Sequence, residues 1–291
     1  MELHQMRYVL AVAHARSFTR AAEACHVVQS ALSQQISKLE RELGVPLFSR
    51  SSRRVELTAA GAAFVPWART TLDAVDRAAA EAVAADGVVS GPLRIGLIPT
   101  PSALDVPDFL RRLHRTYPQV TAQLRVGSSD RLISEVGEGN LDLALVGLAD
   151  GTTPQRVEHR ALAREALVAV LPVEHSAATG SSISRVLTLA DMAEEPFADF
   201  PAGSPGRLQS DLAFRAAGLA RDVRYEAATP GLIVDVVAAG LAVALLPQTF
   251  ARGEGVTTRT VADGPHRTEY LVWDGFSPSA ATRAALSLLD P

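Results

Sequence analysis

The chain has 291 residues, of which 47% are hydrophobic and 21% charged, and its formal net charge is −4. These values fit a folded protein with enough chain for two domains. No apolar run reaches the roughly 18–20 residues of a membrane-spanning helix, and residues 1–8 lack the features of a signal peptide. The single cysteine, Cys25, excludes an internal disulfide. We therefore expect a cytoplasmic protein that does not contact the membrane.

The charge is unevenly distributed along the chain. Residues 1–60 contain eight Lys or Arg and five Asp or Glu, a balance of +3, so the remainder carries −7. This asymmetry favours an N-terminal part that faces DNA and a separate acidic part that does not. Because an excess of +3 is modest, specific contacts and dimeric binding must contribute much of the affinity for DNA.

Residues 17–54 predict a helix-turn-helix followed by a wing. Ser17 is a suitable N-cap for a short helix from Phe18 to about Cys25. A second helix over about 28–42 should end at Gly44, since glycine readily adopts the left-handed conformation found after helix ends. The apolar side of this second helix consists of Leu32, Ile36, Leu39 and Leu43. Its opposite side consists of Ser30, Ser33, Gln34 and Ser37.

Hydroxyl and amide side chains of this kind can hydrogen-bond to base edges in a DNA major groove. Arginines follow in a loop before the strand Val55–Leu57, where guanidinium groups can lie against phosphates. The predicted DNA-binding residues are Gln29, Ser30, Ser33, Gln34, Lys38, Arg50, Arg53 and Arg54. A helical hairpin that only packs against its neighbours is the alternative interpretation.

Residues 1–66 closely resemble the winged-helix domain of LysR-type transcriptional regulators. The matching segments are SFTRAA (17–22), QSALSQQI (29–36), LGVPLF (43–48) and LTAAG (57–61). Val28 departs from the family, which usually has Thr or Ser there, and the missing N-cap hydroxyl costs about 1 kcal/mol. The resemblance implies double-stranded operator DNA as a partner, a dimer and typically a tetramer, and it leaves contact with RNA polymerase open.

Residues 58 to about 86 are rich in alanine and predict a long helix with a kink near Pro66. Its apolar stripe consists of Phe64, Trp67, Leu72, Val75 and Val83. A stripe without a nearby core is best buried against a second copy of the helix, and the resemblance implies the same dimer. Docking of the helix onto its own domain is the alternative.

After a hinge at Gly87–Gly91, strands alternate with helices, which indicates parallel β/α units. The predicted strands are 92–99, 120–126, 141–146, 166–171, 223–227, 243–246 and 269–273; the predicted helices are 104–116, 129–137, 205–217, 232–239 and 279–289. This part resembles the effector-binding domain of the same family, which is similar to periplasmic solute-binding proteins.

The expected fold class is therefore α/β, with an N-terminal winged helix-turn-helix, a long linker helix and a two-lobed effector domain. The expected divisions are 1–60 for the winged helix, 61–90 for the linker helix and hinge, and 91–291 for the effector domain. Within the effector domain, lobe I comprises about 91–164 and 268–291, and lobe II about 165–267.

A ligand in such a domain is expected beyond the carboxyl ends of the strands, where helices begin. The predicted effector-binding residues are Thr100, Ser102, Ser128, Ser129, Gly147, Phe200 and Thr229. Hydroxyls at helix starts suit a carboxylate or another small anion, so a small anionic metabolite is the expected effector. Each hydroxyl can instead be an ordinary N-cap. Arg125 and Arg131 can attract an anion or be solvated surface residues.

Two other interpretations compete with a regulator. Ala202–Gly206 resembles the nucleophile elbow of serine hydrolases, and Asp235 and His266 follow Ser204 in hydrolase order. Pro205 directly after the serine instead favours an N-cap, so we expect no enzyme and no catalytic residue. Scattered histidines and the absence of a glycine fingerprint predict neither a metal nor a cofactor. An α/β domain that serves only assembly is the second alternative.

Overall fold

The computed structural model describes residues 1–50, 55–175 and 186–290, and of Arg50 it describes the backbone alone. The chain divides into two compact units, Met1–Val88 and Val89–Pro291. Across the described ranges, no helix combines the length and the apolar character that crossing a membrane requires.

The first unit packs its helices around one core beside a short hairpin. Its described elements are α1 (Leu3–Ala15), α2 (Phe18–Ala24), α3 (Gln29–Leu43), β1 (Phe48–Arg50), β2 (Val55–Leu57) and α4 (Ala59–Ala84). The strands β1 and β2 are antiparallel, with Phe48 opposite Leu57. The core consists of Val9, Val12, Ala21, Ala22, Leu32, Ile36, Leu39, Leu47 and Phe48. The predicted winged helix-turn-helix is confirmed.

Single residues determine where α2 begins and where α3 ends. The Ser17 hydroxyl accepts a hydrogen bond from the Arg20 amide at 3.4 Å and caps α2. Val28 occupies the N-cap position of α3 without a side-chain hydrogen bond, and Gly44 ends the helix at φ +74°. The prediction that Leu43 belongs to the buried side is wrong, because this last residue of the helix is 38% exposed.

The start of α4 lies close to the backbone of Pro46 and Leu47, just before β1. Thr58 Oγ1 donates to the Pro46 carbonyl at 2.7 Å and accepts from the Gly61 amide at 3.0 Å. A Cβ atom at Gly61 would lie 2.1 Å from the Leu47 carbonyl oxygen. The close contact between α4 and the Leu47 carbonyl therefore requires glycine at this position.

The apolar stripe of α4 is divided between two surfaces. Phe64, Ala68 and Leu72 pack against Met6 and Leu10 of α1. Trp67 is 73% exposed and Val83 is 46% exposed. The first half of the helix is thus docked on its own unit, as in the alternative interpretation, while part of the stripe is left uncovered.

The second unit is an α/β structure built on a seven-stranded sheet. Its described strands are β3 (Ser90–Leu97), β4 (Gln119–Val126), β5 (Leu143–Ala149), β6 (Glu158–Pro172), β7 (Pro196–Asp199), β8 (Asp222–Glu226), β9 (Ala244–Pro247), β10 (Val256–Thr260) and β11 (His266–Trp273). Its described helices are α5 (Val106–Thr116), α6 (Ser129–Gly137), α7 (Leu189–Met192), α8 (Pro205–Ala216), α9 (Pro230–Ala238) and α10 (Ala280–Leu289).

The long strand β6 belongs to two halves of this sheet. The strand order is β10-β6-β11-β5-β3-β4, with β9 also paired to β6. Residues Glu158–Ala166 pair with β11, whereas Leu167–Pro172 pair with β9 and β10. The chain thus passes from one lobe to the other near residue 166 and returns between β10 and β11. The predicted lobe limits, 164/165 and 267/268, lie close to these crossings and remain predictions.

The expectation of parallel β/α units is right for one part of the unit and wrong for another. β3 is parallel to β4 and β5, and β7 is parallel to β8. By contrast, β6 is antiparallel to β9, β10 and β11. The local sequence patterns did not predict β7, β10 or the first half of β6, which is charged and partly exposed. Such a segment lacks the continuous apolar run that marks a buried parallel strand.

Gly61→Ala tests the close approach of α4 to the wing. Alanine normally stabilises a helix interior relative to glycine, but here the added methyl meets the Leu47 carbonyl oxygen. We expect the free energy of unfolding of the first unit to fall by about 1–3 kcal/mol, measured by urea denaturation. Gly231→Ala, in a helix of the second unit, is the control for glycine replacement without a clash, because no atom lies within 4 Å of the added Cβ; it should not lower the unfolding free energy of either unit. A neutral or stabilising Gly61→Ala would contradict the proposed packing.

Candidate functional sites

The polar side of α3 forms a shallow concave surface in the first unit. Gln29, Ser30, Gln34 and Lys38 are exposed, and Ser33 is half-buried. The full lining is Gln29, Ser30, Ser33, Gln34, Gln35, Ser37, Lys38 and Arg41. Leu32, Ile36 and Leu39 are fully buried on the opposite side of the helix. The structure therefore brings five of the eight predicted DNA-binding residues onto one surface.

Ion pairs with the start of the chain border this surface. Lys38 Nζ lies 2.9 Å from Glu2 Oε1. The hydrogen bond from Lys38, together with its positive charge, lowers the pKa of Glu2. The amino group of Met1 lies 2.6 Å from Glu42 Oε1. Lys38 therefore already has a carboxylate partner, and a DNA phosphate must compete with Glu2 to bind its ammonium group.

The wing is bonded directly to α3. Glu40 Oε1 accepts hydrogen bonds from the backbone amides of Leu47 at 2.8 Å and Phe48 at 3.2 Å. The side chains of the remaining predicted phosphate contacts, Arg50, Arg53 and Arg54, lie outside the described residues. Their contact with DNA remains a prediction.

A cavity of about 290 Å³ lies in the cleft of the second unit, close to the lower end of the usual size of small-molecule sites, about 300–1,000 Å³. The lining is Ile98, Pro99, Thr100, Val126, Gly127, Ser128, Ser129, Gly147, Phe200, Pro201, Ser204, Pro205, Gly206, Gln209, Ala228 and Arg267. Most of these side chains are apolar. Five of the predicted effector-binding residues are among them: Thr100, Ser128, Ser129, Gly147 and Phe200.

The other two predicted effector-binding residues do not line this cavity. Ser102 Oγ hydrogen-bonds to Glu165 Oε1 at 2.5 Å and to Glu269 Oε1 at 2.7 Å. Thr229 is the exposed N-cap residue of α9. Ser102 therefore belongs to a polar cluster beside the cavity, and Thr229 follows the lining residue Ala228 without lining the cavity itself.

The two serines that begin α6 have different surroundings. Ser129 is 2% exposed, and its hydroxyl donates to the Gly147 carbonyl at 2.8 Å and accepts from the Gly147 amide at 3.1 Å. Ser128 is the exposed N-cap, yet its hydroxyl makes no capping hydrogen bond. Ser129 therefore joins α6 to β5, whereas the Ser128 hydroxyl is left available.

Arg267, a residue that the sequence patterns did not indicate, lines the cavity. It is 3% exposed, and Nη1 donates to Thr100 Oγ1 at 2.8 Å while Nη2 donates to the Thr100 carbonyl at 2.6 Å. Nε donates to Glu165 Oε1 at 2.8 Å, and Nη2 lies 2.5 Å from Glu269 Oε1. Two carboxylates therefore offset its charge. The alternation of Arg267 and Glu269 along β11 places both on one side of the strand, which is the sequence feature that could have revealed them.

Arg125 and Arg131, considered as anion contacts, do not line the cavity. Both bind Glu135, at 2.8 Å and 2.9 Å. Burial raises the pKa of Glu135, but hydrogen bonds from the two guanidinium groups and their charges outweigh burial and lower it. These arginines therefore neutralise a carboxylate of α6.

A second pair of buried charges supports lobe II. Arg221 Nη1 lies 2.7 Å from Asp199 Oδ2, and both side chains are nearly inaccessible. Burial is the main cause that raises the pKa of Asp199, although the Arg221 charge opposes this effect. The Arg221 guanidinium also lies over the rings of Phe197 and Phe214, at 5.3 and 5.4 Å from their centres.

The residues of the hydrolase alternative do not form a triad. The Ser204 hydroxyl accepts from the Arg207 amide at 3.3 Å and caps α8. His266 Nδ1 contacts the Gly264 carbonyl at 3.1 Å. Ser204 is thus an N-cap residue, as Pro205 indicated. Within residues 1–50, 55–175 and 186–290, no group of three His, Cys, Asp or Glu could hold a metal ion.

Comparison with known families agrees with both units. Residues 3–62 match the family described as bacterial regulatory helix-turn-helix protein, lysR family, and residues 86–290 match the LysR substrate binding domain. An uncharacterised HTH-type transcriptional regulator, YnfL of Escherichia coli, is 36% identical over 87% of this chain and 84% of its own length. The E. coli dual regulator OxyR is 32% identical over 96% of this chain and 91% of its own.

Solved structures of full-length proteins share the fold. A full-length OxyR variant from Pseudomonas aeruginosa superposes with a TM-score of 0.70 at 27% identity and covers 99% of this chain and 93% of its own. CbnR, determined in complex with its target DNA, has a TM-score of 0.75 at 24% identity and covers 99% of this chain and 98% of its own.

Ser129→Ala and Ser128→Ala separate a structural serine from an available one. Loss of the Ser129 hydroxyl leaves the buried amide and carbonyl of Gly147 without this partner, and we expect a loss of about 1–3 kcal/mol in unfolding free energy. Ser128→Ala should change it by less than about 0.5 kcal/mol. Urea denaturation of the two variants measures the difference. Equal losses would contradict the distinction between the serines.

Proposed function

Because the chain belongs to the LysR family of DNA-binding transcriptional regulators, we propose that it recognises a specific operator through α3 and responds to a small molecule in the cleft. The observation that supports DNA reading most directly is the outward polar side of α3, whose opposite side is fully buried. The protein acts in the cytoplasm, where bacterial DNA lies, and it regulates transcription without catalysing a reaction.

Within this proposal, base reading and phosphate binding involve different residues. Gln29, Ser30, Ser33 and Gln34 contact base edges in the major groove. Lys38 and the wing arginines, Arg50, Arg53 and Arg54, contact phosphates and set the orientation of the helix. Val28 supplies no hydroxyl to the N-terminus of α3, so a phosphate there is bound by backbone amides alone.

A dimer explains how residues 1–60, with a net charge of only +3, can bind DNA tightly, because two copies double the number of contacts. The uncovered residues of α4, Trp67 and Val83, offer apolar surface to a second copy of the linker helix. Two copies place two recognition helices about 34–36 Å apart, one turn of DNA, on a partly palindromic site. Pairing of such dimers through the effector domains would give a tetramer, and RNA polymerase is a further candidate partner.

The cleft offers a route from ligand to DNA. The chain crosses between lobes within β6 and again between β10 and β11, so a change in the angle between lobes can occur at these two segments. A ligand shifts this equilibrium only if it binds one arrangement more tightly than the other. Within this proposal, residues 1–60, 61–90 and 91–291 are the DNA-binding, linker and effector parts.

Ser33→Ala and Arg53→Ala distinguish base reading from phosphate binding. Ser33→Ala should weaken specific binding more than non-specific binding, because base contacts carry the sequence information. Arg53→Ala should weaken both about equally and reduce the slope of log K against log salt by about 1. Titrations of operator and unrelated duplexes at several salt concentrations measure both effects. If Arg53→Ala reduced mainly specific binding and Ser33→Ala reduced both kinds equally, Arg53 would be the base contact and Ser33 the phosphate contact.

Glu2→Gln tests whether Lys38 becomes available to DNA. Removal of the carboxylate frees the ammonium group that now lies 2.9 Å from it, so we expect tighter DNA binding and a steeper salt dependence. Glu23→Gln removes an equal charge from an exposed position of α2 and serves as the control. Equal gains from both variants would show that only net charge matters and that Lys38 has no phosphate contact.

A further inference from the structure

Gln209 is a buried amide of the cleft without a protein partner. It lies in α8, is 4% exposed and lines the cavity. Among the described residues, none forms a hydrogen bond with its side chain. Because this amide lines the cavity, its oxygen and nitrogen are available to hydrogen-bond to a ligand that enters the cleft.

The other polar side chains of the cleft divide into occupied and available groups. Thr100 and Arg267 bond to each other, Ser129 bonds to Gly147, and Ser204 caps α8. Ser128 makes no side-chain hydrogen bond to a described residue. Ser128 belongs to lobe I and Gln209 to lobe II, so the two available groups lie on opposite sides of the cleft.

The charges of the cleft favour an uncharged ligand. Arg267 is the lining residue that carries a formal positive charge, and Glu165 and Glu269 both lie within 2.7 Å of it. A ligand carboxylate would therefore meet a cation whose charge is already offset, with two carboxylates behind it. The N-termini of α6 and α8 still favour a hydrogen-bond acceptor such as a carbonyl oxygen.

We propose that Ser128 and Gln209 bind, from opposite lobes, a small uncharged ligand with an apolar body and a polar group that both donates and accepts hydrogen bonds. A carboxamide has this chemistry, because its oxygen accepts and its nitrogen donates. This inference rests on the proposed function, since it specifies the effector class of the same cleft. It replaces the anionic effector expected from the sequence.

A second groove also borders Gln209. Leu212, Ala216, Asp263 and His266 line it on the surface of the unit. The cleft is the better ligand site, because two helix N-termini and the available Ser128 hydroxyl belong to it. Ala216 is exposed, so Ala216→Leu fills the groove without touching the cleft and provides a matched control.

The test uses three pairs of probes that share a carbon skeleton and differ in charge and in the N–H donors of the carboxamide: benzamide and benzoate, cyclohexanecarboxamide and cyclohexanecarboxylate, and isobutyramide and isobutyrate. Thermal unfolding of the full chain is measured with each probe at equal ionic strength. For wild type we expect the amides, at concentrations well above Kd, to raise Tm by about 2–4 °C and the acids to raise it less. Ser128→Ala and Gln209→Met should lose most of this rise, and Ala216→Leu should keep it.

The ligand-free Tm provides a second readout. Methionine replaces an unpaired amide by an apolar side chain of similar shape, so the Tm of Gln209→Met should equal or exceed that of wild type. A clear fall would show that Gln209 has a structural role and would overturn its assignment to the ligand.

The remaining outcomes distinguish the inference from the proposed function. Acids that stabilise more than amides would overturn the uncharged class, and an undiminished rise in either cleft variant would overturn the two-lobe contact. Loss of the rise in Ala216→Leu would move the ligand to the groove. No rise in wild type with any probe would overturn the uncharged ligand class, whereas the proposed function fails only if the full chain also shows no preference for any DNA sequence.

Discussion

Three side chains fix the orientation of α3. Leu32, Ile36 and Leu39 are completely buried against the core formed with α1 and α2. Truncation of such a residue to alanine typically costs about 2–5 kcal/mol, so rotation of the helix about its axis is strongly disfavoured. The serines and glutamines on the other side are therefore held outward as a fixed surface. Glu40 also holds the start of the wing against α3, because its carboxylate accepts hydrogen bonds from the amides of Leu47 and Phe48.

Arg267 has the corresponding role in the second unit. Its guanidinium joins the Thr100 loop to Glu165 of β6 and Glu269 of β11, the two strands that the chain follows between lobes. Removal of one partner from such a buried ionic cluster typically costs about 3–5 kcal/mol. Because Arg267 is bonded in this way, it holds the Thr100 loop in place, while Ser128 and Gln209 remain available to a ligand.

Local rules predicted the helices well, and long-range pairing explains what they missed. The periodicity of α3, the stop at Gly44 and the start of α6 depend on neighbouring residues and could be predicted. Ser128 and Ser129 line the cavity, as the sequence suggested, but Ser102 does not, and only the fold shows that Ser129 bonds to Gly147. The partners of Arg267 lie up to 167 residues away, and Gln209 sits in a helix whose sequence gives no indication of burial. The first half of β6 pairs with β11 and the second half with β9 and β10, and no local sequence pattern indicates this change of neighbouring strands.

The central claim is that the outward side of α3 reads DNA sequence. Selection of bound fragments from a random duplex library by the purified full chain tests it most directly. The account predicts enrichment of a partly palindromic site with half-sites one helical turn apart. Binding without enrichment of any sequence would contradict it, because phosphate contacts alone would then account for the affinity.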